Sequence, residues 1–239
     1  MNPLQAVGLV VRVASPGPDV RLVELGGGDR FLGSCFAIRQ AEKFLTAAHS
    51  VKGQELDKLY VVCAADRQLY RVGAIETHPR ADVAIITLTS VPPMEPFWNA
   101  VPPHGLGEDL FAYGFPEETH PVVGPVPTPR LFKGHIQRVI PNHKSFMGYE
   151  YPAFELSMAC PGGLSGGPCF RPPAPTMVVG MATENVDSTT ILDAFEETTS
   201  ESQKTTTKYQ RVITYGVALN LSAVTDWLDT CVPPRRPLK

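Results

Sequence analysis

Short apolar runs, each cut by Gly, Pro, Asp or Asn, set the pattern of this chain. Residues 6–13, 20–25, 59–65, 83–88, 110–114, 131–140, 154–158, 176–183 and 211–219 read in this way as β-strands. Their length, β-branched content and turn-forming boundaries are those of an all-β protein. One segment, 222–231, has helical spacing instead, with Val224, Trp227 and Leu228 on one face and Ser222 as candidate N-cap. The paired Pro233 and Pro234 stop it. Residues 89–105 are rich in proline and lack periodicity, which divides the chain into portions 1–100 and 101–239. Residues 184–210, rich in Thr, Ser and Glu between two strands, read as a long, mobile polar loop.

The 239 residues are 43% hydrophobic, enough for a sizeable core and too apolar for wholesale disorder. Twenty-one Lys and Arg against 24 Asp and Glu leave a net charge of −3, without the basic excess of a nucleic-acid binder. Twenty glycines and 24 prolines imply many turns and argue against a bundle of long helices. The apolar run 6–11 is too short for a signal-peptide core and no base precedes it. No stretch approaches the ~20 apolar residues of a membrane span. Five cysteines make an odd set, read most simply as free thiols in a reducing compartment. The expectation is a cytoplasmic protein with neither a nucleic-acid nor a membrane partner.

The chemistry concentrates in PGGLSGGP, residues 161–168, where four glycines surround Ser165. Glycine allows such a loop to turn sharply and to present backbone N–H groups to a ligand. A serine hydroxyl needs a base to become a nucleophile. Of the six histidines (His49, His78, His104, His120, His135 and His143), His49 follows an apolar strand among alanines in FLTAAHSV. The others sit in loop-like sequence, except His135 in an exposed-looking strand. Asp82 opens ADVAIITL before a buried-looking strand, where an acid normally needs a partner. Asp57 and Asp66 stand in polar sequence and read as solvated. A metal site is not expected: Cys160 and Cys169 are nine residues apart, wider than a zinc knuckle. The six acids of 184–201 lack the alternating order of a calcium loop. No cofactor is implied.

The order His49, Asp82, Ser165 occurs within GSCF (33–36), TAAHSV (46–51), ADVAIITL (81–88), GEDLFAYGFP (107–116), GGLSGGP (162–168) and YGVAL (215–219). In these blocks the chain resembles the chymotrypsin-fold serine peptidases, in particular the HtrA-like branch of trypsin-like domains. The resemblance implies two perpendicular six-stranded β-barrels and a short C-terminal helix. His49 and Asp82 would come from the first barrel and Ser165 from the second. It implies an endopeptidase acting on protein or peptide substrates: Ser165 as nucleophile, His49 as base, Asp82 as orienting acid. The N–H groups of Gly163 and Ser165 would form the oxyanion hole, and Thr183 would hydrogen-bond Asp82. A substrate pocket would have Ala159 at its floor, Gly216 on the opposite wall and Asn185 at the rim. With no acid at that floor, small or medium apolar residues are the expected preference. Leu164 stands where secreted relatives carry an activating Asp, and Cys35 replaces the glycine of GSGF, either as a buried hydrophobe or as an oxidisable thiol beside the site. The alternatives are a latent or inactive module that binds a regulatory partner protein, and a processing peptidase with one partner substrate. Oligomeric state is left open.

Overall fold

The computed structural model describes residues 3–14, 30–99, 105–117, 128–172, 176–200 and 203–234, with the backbone alone for 193–200 and 203–208. Six strands close a first barrel: β1 (Val7–Arg12), β2 (Arg30–Ile38), β3 (Gln40–Thr46), β4 (Leu59–Cys63), β5 (Leu69–Thr77) and β6 (Ala84–Leu88), in the order β1-β2-β3-β6-β5-β4. VGLVVR of β1 is buried along nearly its whole length, which is why it reads as an uninterrupted apolar run rather than an alternating one. Five strands of the second sheet follow a short β7 (Trp98–Asn99): β8 (Asp109–Gly114), β9 (Arg130–Lys144), β10 (Glu150–Leu156), β11 (Pro168–Phe170) and β12 (Met177–Ser200), before the last, β13 (Gln203–Asn220). Their order is β11-β8-β9-β10-β13-β12-β7, and β11 also pairs with β12, so six of the seven strands form a ring. The expected strand 20–25 lies outside the described residues.

The larger core fills the first barrel and continues through Tyr151, Ala153, Val217 and Leu219 to the C-terminal segment. A second cluster, with Leu110, Ile136, Phe154, Leu156, Leu164 and Ala218, fills the other ring. Leu164, next to the serine, is a fully buried member of it. The helix is shorter than the sequence suggests: a 3-10 turn at Leu221–Val224 precedes α2, Thr225–Cys231. Asn220 caps the turn, its Oδ1 accepting from the Ser222 N–H at 3.0 Å, so Ser222 is capped rather than capping. Buried Arg39, at φ +59° in the turn between β2 and β3, fastens α2 to the first barrel. Its guanidinium donates to the Val232 carbonyl at 2.7 Å and meets the Asp229 carboxylate at 2.6 Å. Among the described residues no helix is long and apolar enough to cross a membrane.

The expected loop 184–210 is a ribbon. β12 and β13 stay in antiparallel register from Gly180↔Asn220 out to Ser200↔Gln203. Residues 185–192 and 209–212 are exposed, so both faces meet water there; Thr, Ile and Val favour strands even so, and without a buried face these stretches show no alternation to read in the sequence. A groove of about 630 Å³, lined by Arg138, Glu155, Val186 and Tyr215 among others, opens at its root. Strands β2, β5, β7 and β11 are not among the expected runs, and β3 is expected only as the apolar strand before His49. In β5 only Val72 is buried, so its apolar content is diluted by solvent-facing residues.

Candidate active site

Asp82 sits in a turn that leads into β6. The His78 N–H donates to the Val83 carbonyl at 2.9 Å, and His78 Nδ1 accepts the N–H groups of Arg80 at 3.1 Å and Ala81 at 2.8 Å. These bonds close the turn around the Asp82 side chain, which is 3% exposed. Its carboxylate is spent on His49, at the start of the one-turn helix α1 (Ala48–Val51). Oδ1 accepts the His49 backbone N–H at 2.9 Å, and Oδ2 lies 2.7 Å from Nδ1. A carboxylate only accepts, so Nδ1 carries the proton in this contact, and in the neutral ring Nε2 is left as the base.

The serine loop is folded by its glycines and anchored on the first barrel. Gly163 has φ +83°, and a Cβ there would fall 2.6 Å from the Phe115 carbonyl oxygen. Gly166 has φ +88°, and a Cβ would fall 2.0 Å from the Ser34 carbonyl oxygen and 3.0 Å from the Ala47 nitrogen. Only glycine satisfies both the backbone conformation and the space. The same closeness brings the loop onto the chain entering α1. Ser34 N–H donates to the Ser165 carbonyl at 2.8 Å, and Thr46 Oγ1 donates to the Ser34 carbonyl at 2.8 Å. Ser34 Oγ donates to the Gly163 carbonyl and accepts the Phe115 N–H, both at 2.8 Å. Ser34 is thus the joint between the barrels, and sequence reading assigned it no role.

Ser165 Oγ donates to the Thr183 carbonyl at 2.7 Å, and among the described residues no hydrogen bond joins it to His49. The N–H groups of Gly163 and Ser165 have no hydrogen-bond acceptor among the described residues. The Gly162 carbonyl accepts the Glu117 N–H at 2.6 Å, which turns the Gly163 N–H of the same peptide away from Glu117. Thr183 does not make the expected contact with Asp82. A register shift between Ala182 and Glu184 makes it a bulged residue, and its hydroxyl donates to the Val217 carbonyl at 3.0 Å.

The expected pocket residues meet, in a different arrangement. Asn185 grips the Cys160 backbone twice, accepting its N–H at 2.6 Å and donating to its carbonyl at 2.7 Å. This turns Ala159 outward, where it is exposed, and Cys160 inward. Gly216 pairs with Asn185 in the ribbon, donates to the Met158 carbonyl at 2.7 Å, and has no room for a Cβ, which would lie 2.6 Å from Cys160 Sγ. Cys160, not Ala159, is therefore the inner residue here; its thiol pKa is pushed up to about 12, chiefly by burial. Cys35 is fully buried, and burial likewise raises its pKa, with Cys63 adding to the rise. All five cysteines are free.

Behind the site, His143 Nε2 contacts Glu184 Oε1, and Glu184 Oε2 accepts the Phe146 N–H at 3.2 Å. Tyr151 packs edge-on against His143, with its buried hydroxyl beside Thr183 and, among the described residues, in no hydrogen bond of ordinary geometry. His104 and His120 lie outside the described residues. Among the described residues no three His, Cys, Asp or Glu side chains are placed to hold a metal.

A family model for the trypsin-like peptidase domain matches residues 33–181, more than half of the chain and a span that contains His49, Asp82 and Ser165. The chain belongs to this family. Solved structures agree on the fold of this family member. The Rv3671c protease of M. tuberculosis in its active form is 17% identical with a TM-score of 0.63, covering 99% of this chain and 85% of that one. The HtrA-type protease AlgW with a decapeptide is 16% identical with a TM-score of 0.63, covering 96% of this chain and 65% of that one. Mouse neuropsin is 14% identical with a TM-score of 0.62, covering 95% and 94%. A search of curated protein sequences finds no match.

Proposed function

We propose that this protein is a serine endopeptidase. The observation that carries the reading is the two-point hold of Asp82 on His49, which fixes both ring orientation and tautomer. Ser165 Oγ attacks the scissile carbonyl carbon while His49 Nε2 takes its proton. The tetrahedral oxyanion is received by the N–H groups of Gly163 and Ser165, each worth about 10²–10³ in rate by analogy with comparable donors. Collapse breaks the C–N bond, and His49 passes the proton to the leaving amine. Water, deprotonated by His49, then attacks the acyl ester and releases Ser165. Asp82 stays ionised and stabilises the imidazolium at each proton transfer.

The residue before the cut would meet Asn185, the Cys160 segment and Gly216, none of which is an acid. Small or medium apolar side chains fit there. The test is a panel of fluorogenic peptides differing at that residue: Ala or Val should be favoured over Arg, and preferential cleavage after Arg would refute the pocket assignment. One observation favours a second reading, a latent enzyme awaiting a partner protein. The Ser165 proton is directed to the Thr183 carbonyl instead of His49. Catalytic hydrogen bonds commonly tighten only once substrate is bound, so the same bond is compatible with an active enzyme. Five free thiols support a reducing, cytoplasmic setting.

A further inference from the structure

Tyr151 is 2% exposed, and among the described residues its hydroxyl has no hydrogen-bond partner. Buried orphans of this kind are rare in folded proteins. Asp82 is short of donors in the same region. Its carboxylate takes two N–H groups, both from His49, whereas two carboxylate oxygens can accept about four. The Thr183 hydroxyl does not help, because its proton goes to the Val217 carbonyl.

The fold brings the orphan donor to the under-used acceptor. The Glu150 N–H donates to the Arg80 carbonyl at 3.0 Å, which pins the start of β10 against the turn that carries Asp82. Glu150 turns outward to Arg80 and Lys144, so its neighbour Tyr151 turns into the core. There His143, directly opposite on β9, meets the tyrosine ring edge-on with centroids 5.4 Å apart. Asp82, Thr183 and Glu184 surround the phenol. Burial raises its pKa, with Glu184 and Asp82 adding to the rise and Thr183 opposing it, so the phenol keeps its proton and is a donor. Of the two carboxylates, Glu184 has a side chain 18% exposed and can complete its bonds with solvent. Asp82, at 3%, depends on protein donors.

We propose that Tyr151 is a positioning residue for the triad: in the substrate-bound enzyme its hydroxyl donates to the Asp82 carboxylate, directly or through one water, and fixes its orientation toward His49. The inference rests on Ser165, His49 and Asp82 being the catalytic set. Hydrogen bonds of such sites are commonly long before substrate arrives and tighten in the complex, and a bridging water serves nearly as well as a direct bond. A carboxylate held by His49 alone can turn with the ring. A third bond from the core holds it still, and a neutral donor leaves its charge in place to stabilise the imidazolium.

Tyr151→Phe removes the oxygen and keeps the ring. Labelling with a fluorophosphonate over a range of concentrations separates the maximal rate from the half-saturating concentration. The maximal rate should fall about 10-fold, as for loss of a hydrogen bond to a charged group, with the half-saturating concentration unchanged. In an Asp82→Asn background the same change should alter the maximal rate by less than about twofold, because its acceptor is already altered. In a Glu184→Gln background the loss should persist. A Tyr151→Phe protein that labels at the wild-type rate overturns the inference and leaves Ser165 as nucleophile; a raised urea midpoint would then mark the hydroxyl as a mere orphan. A loss undiminished in Asp82→Asn places the acceptor on Thr183 or Glu184 and overturns it as well. No labelling of Ser165 in the wild-type protein overturns both readings.

Discussion

Replacing Ser34 by alanine should unsettle stability and catalysis together. The hydroxyl is fully buried and bonded at both ends, to the Gly163 carbonyl and the Phe115 N–H. Alanine leaves both backbone groups without a partner, at about 1–3 kcal/mol for each orphaned group. The cavity is one oxygen atom in size and adds little. Partial relaxation of the Gly163 segment recovers part of the cost, so a net loss of about 2–4 kcal/mol is expected. That segment carries the proposed oxyanion donor, so the reaction with a fluorophosphonate should slow as well, by up to about 10²-fold. Urea unfolding followed by circular dichroism gives the first quantity and stopped-flow labelling the second. A stability change below about 0.5 kcal/mol with an unchanged labelling rate would refute the assignment of Ser34 as the joint between barrel and serine loop.

Burial, with Arg80 nearby, lowers the pKa of His78 from its ordinary 6.5. The folded state then binds this proton less readily than the unfolded one, so stability present above pH ~6.5 is lost as pH falls through the folded pKa. His78→Ala should flatten this pH dependence and slow turnover by loosening the turn around Asp82, and His78→Asn, which restores an acceptor, should recover turnover; identical pH profiles for all three would argue against it. Asn185→Ala removes both bonds to Cys160 and should widen tolerance for larger apolar residues before the cut, read as a fall in KM for Leu over Ala peptides. Burial raises the pKa of Cys35, Cys63, Cys160 and Cys169, and of half-buried Cys231 as well, with Glu76 adding to the rise. Titration with a disulfide reagent at pH 8 should therefore find about one slow thiol in the native protein and five in denaturant.

The three residues proposed to carry the chemistry are each announced locally in the sequence: Ser165 by its glycines, His49 by TAAH, Asp82 by an acid at the mouth of an apolar strand. Their supporting residues are not. Ser34 acts across 129 positions of sequence, and nothing in its neighbours specifies that its hydroxyl closes a contact with Gly163. His78 looked like a loop histidine, and its role comes from two N–H groups that exist only once the turn has formed. Thr183 was assigned to Asp82, but a one-residue bulge redirects its hydroxyl to Val217, and bulges leave little trace in composition. The same limit explains the pocket, where the side-chain amide of Asn185 decides that Cys160 turns in and Ala159 out. The ribbon escaped because its exposed stretches 185–192 and 209–212, with water on both faces, have no hydrophobic period.

If Asp82 and His49 make Ser165 a nucleophile, covalent adduct formation reads this out without any knowledge of the substrate. The wild-type protein, Ser165→Ala and His49→Ala are exposed to a fluorophosphonate under reducing conditions, and the products are weighed and mapped by mass spectrometry. One adduct per chain is expected on Ser165, none on Ser165→Ala, and labelling slowed by at least about 10³-fold in His49→Ala. An unlabelled wild-type protein, an adduct on another residue, or equal labelling without His49 would contradict it.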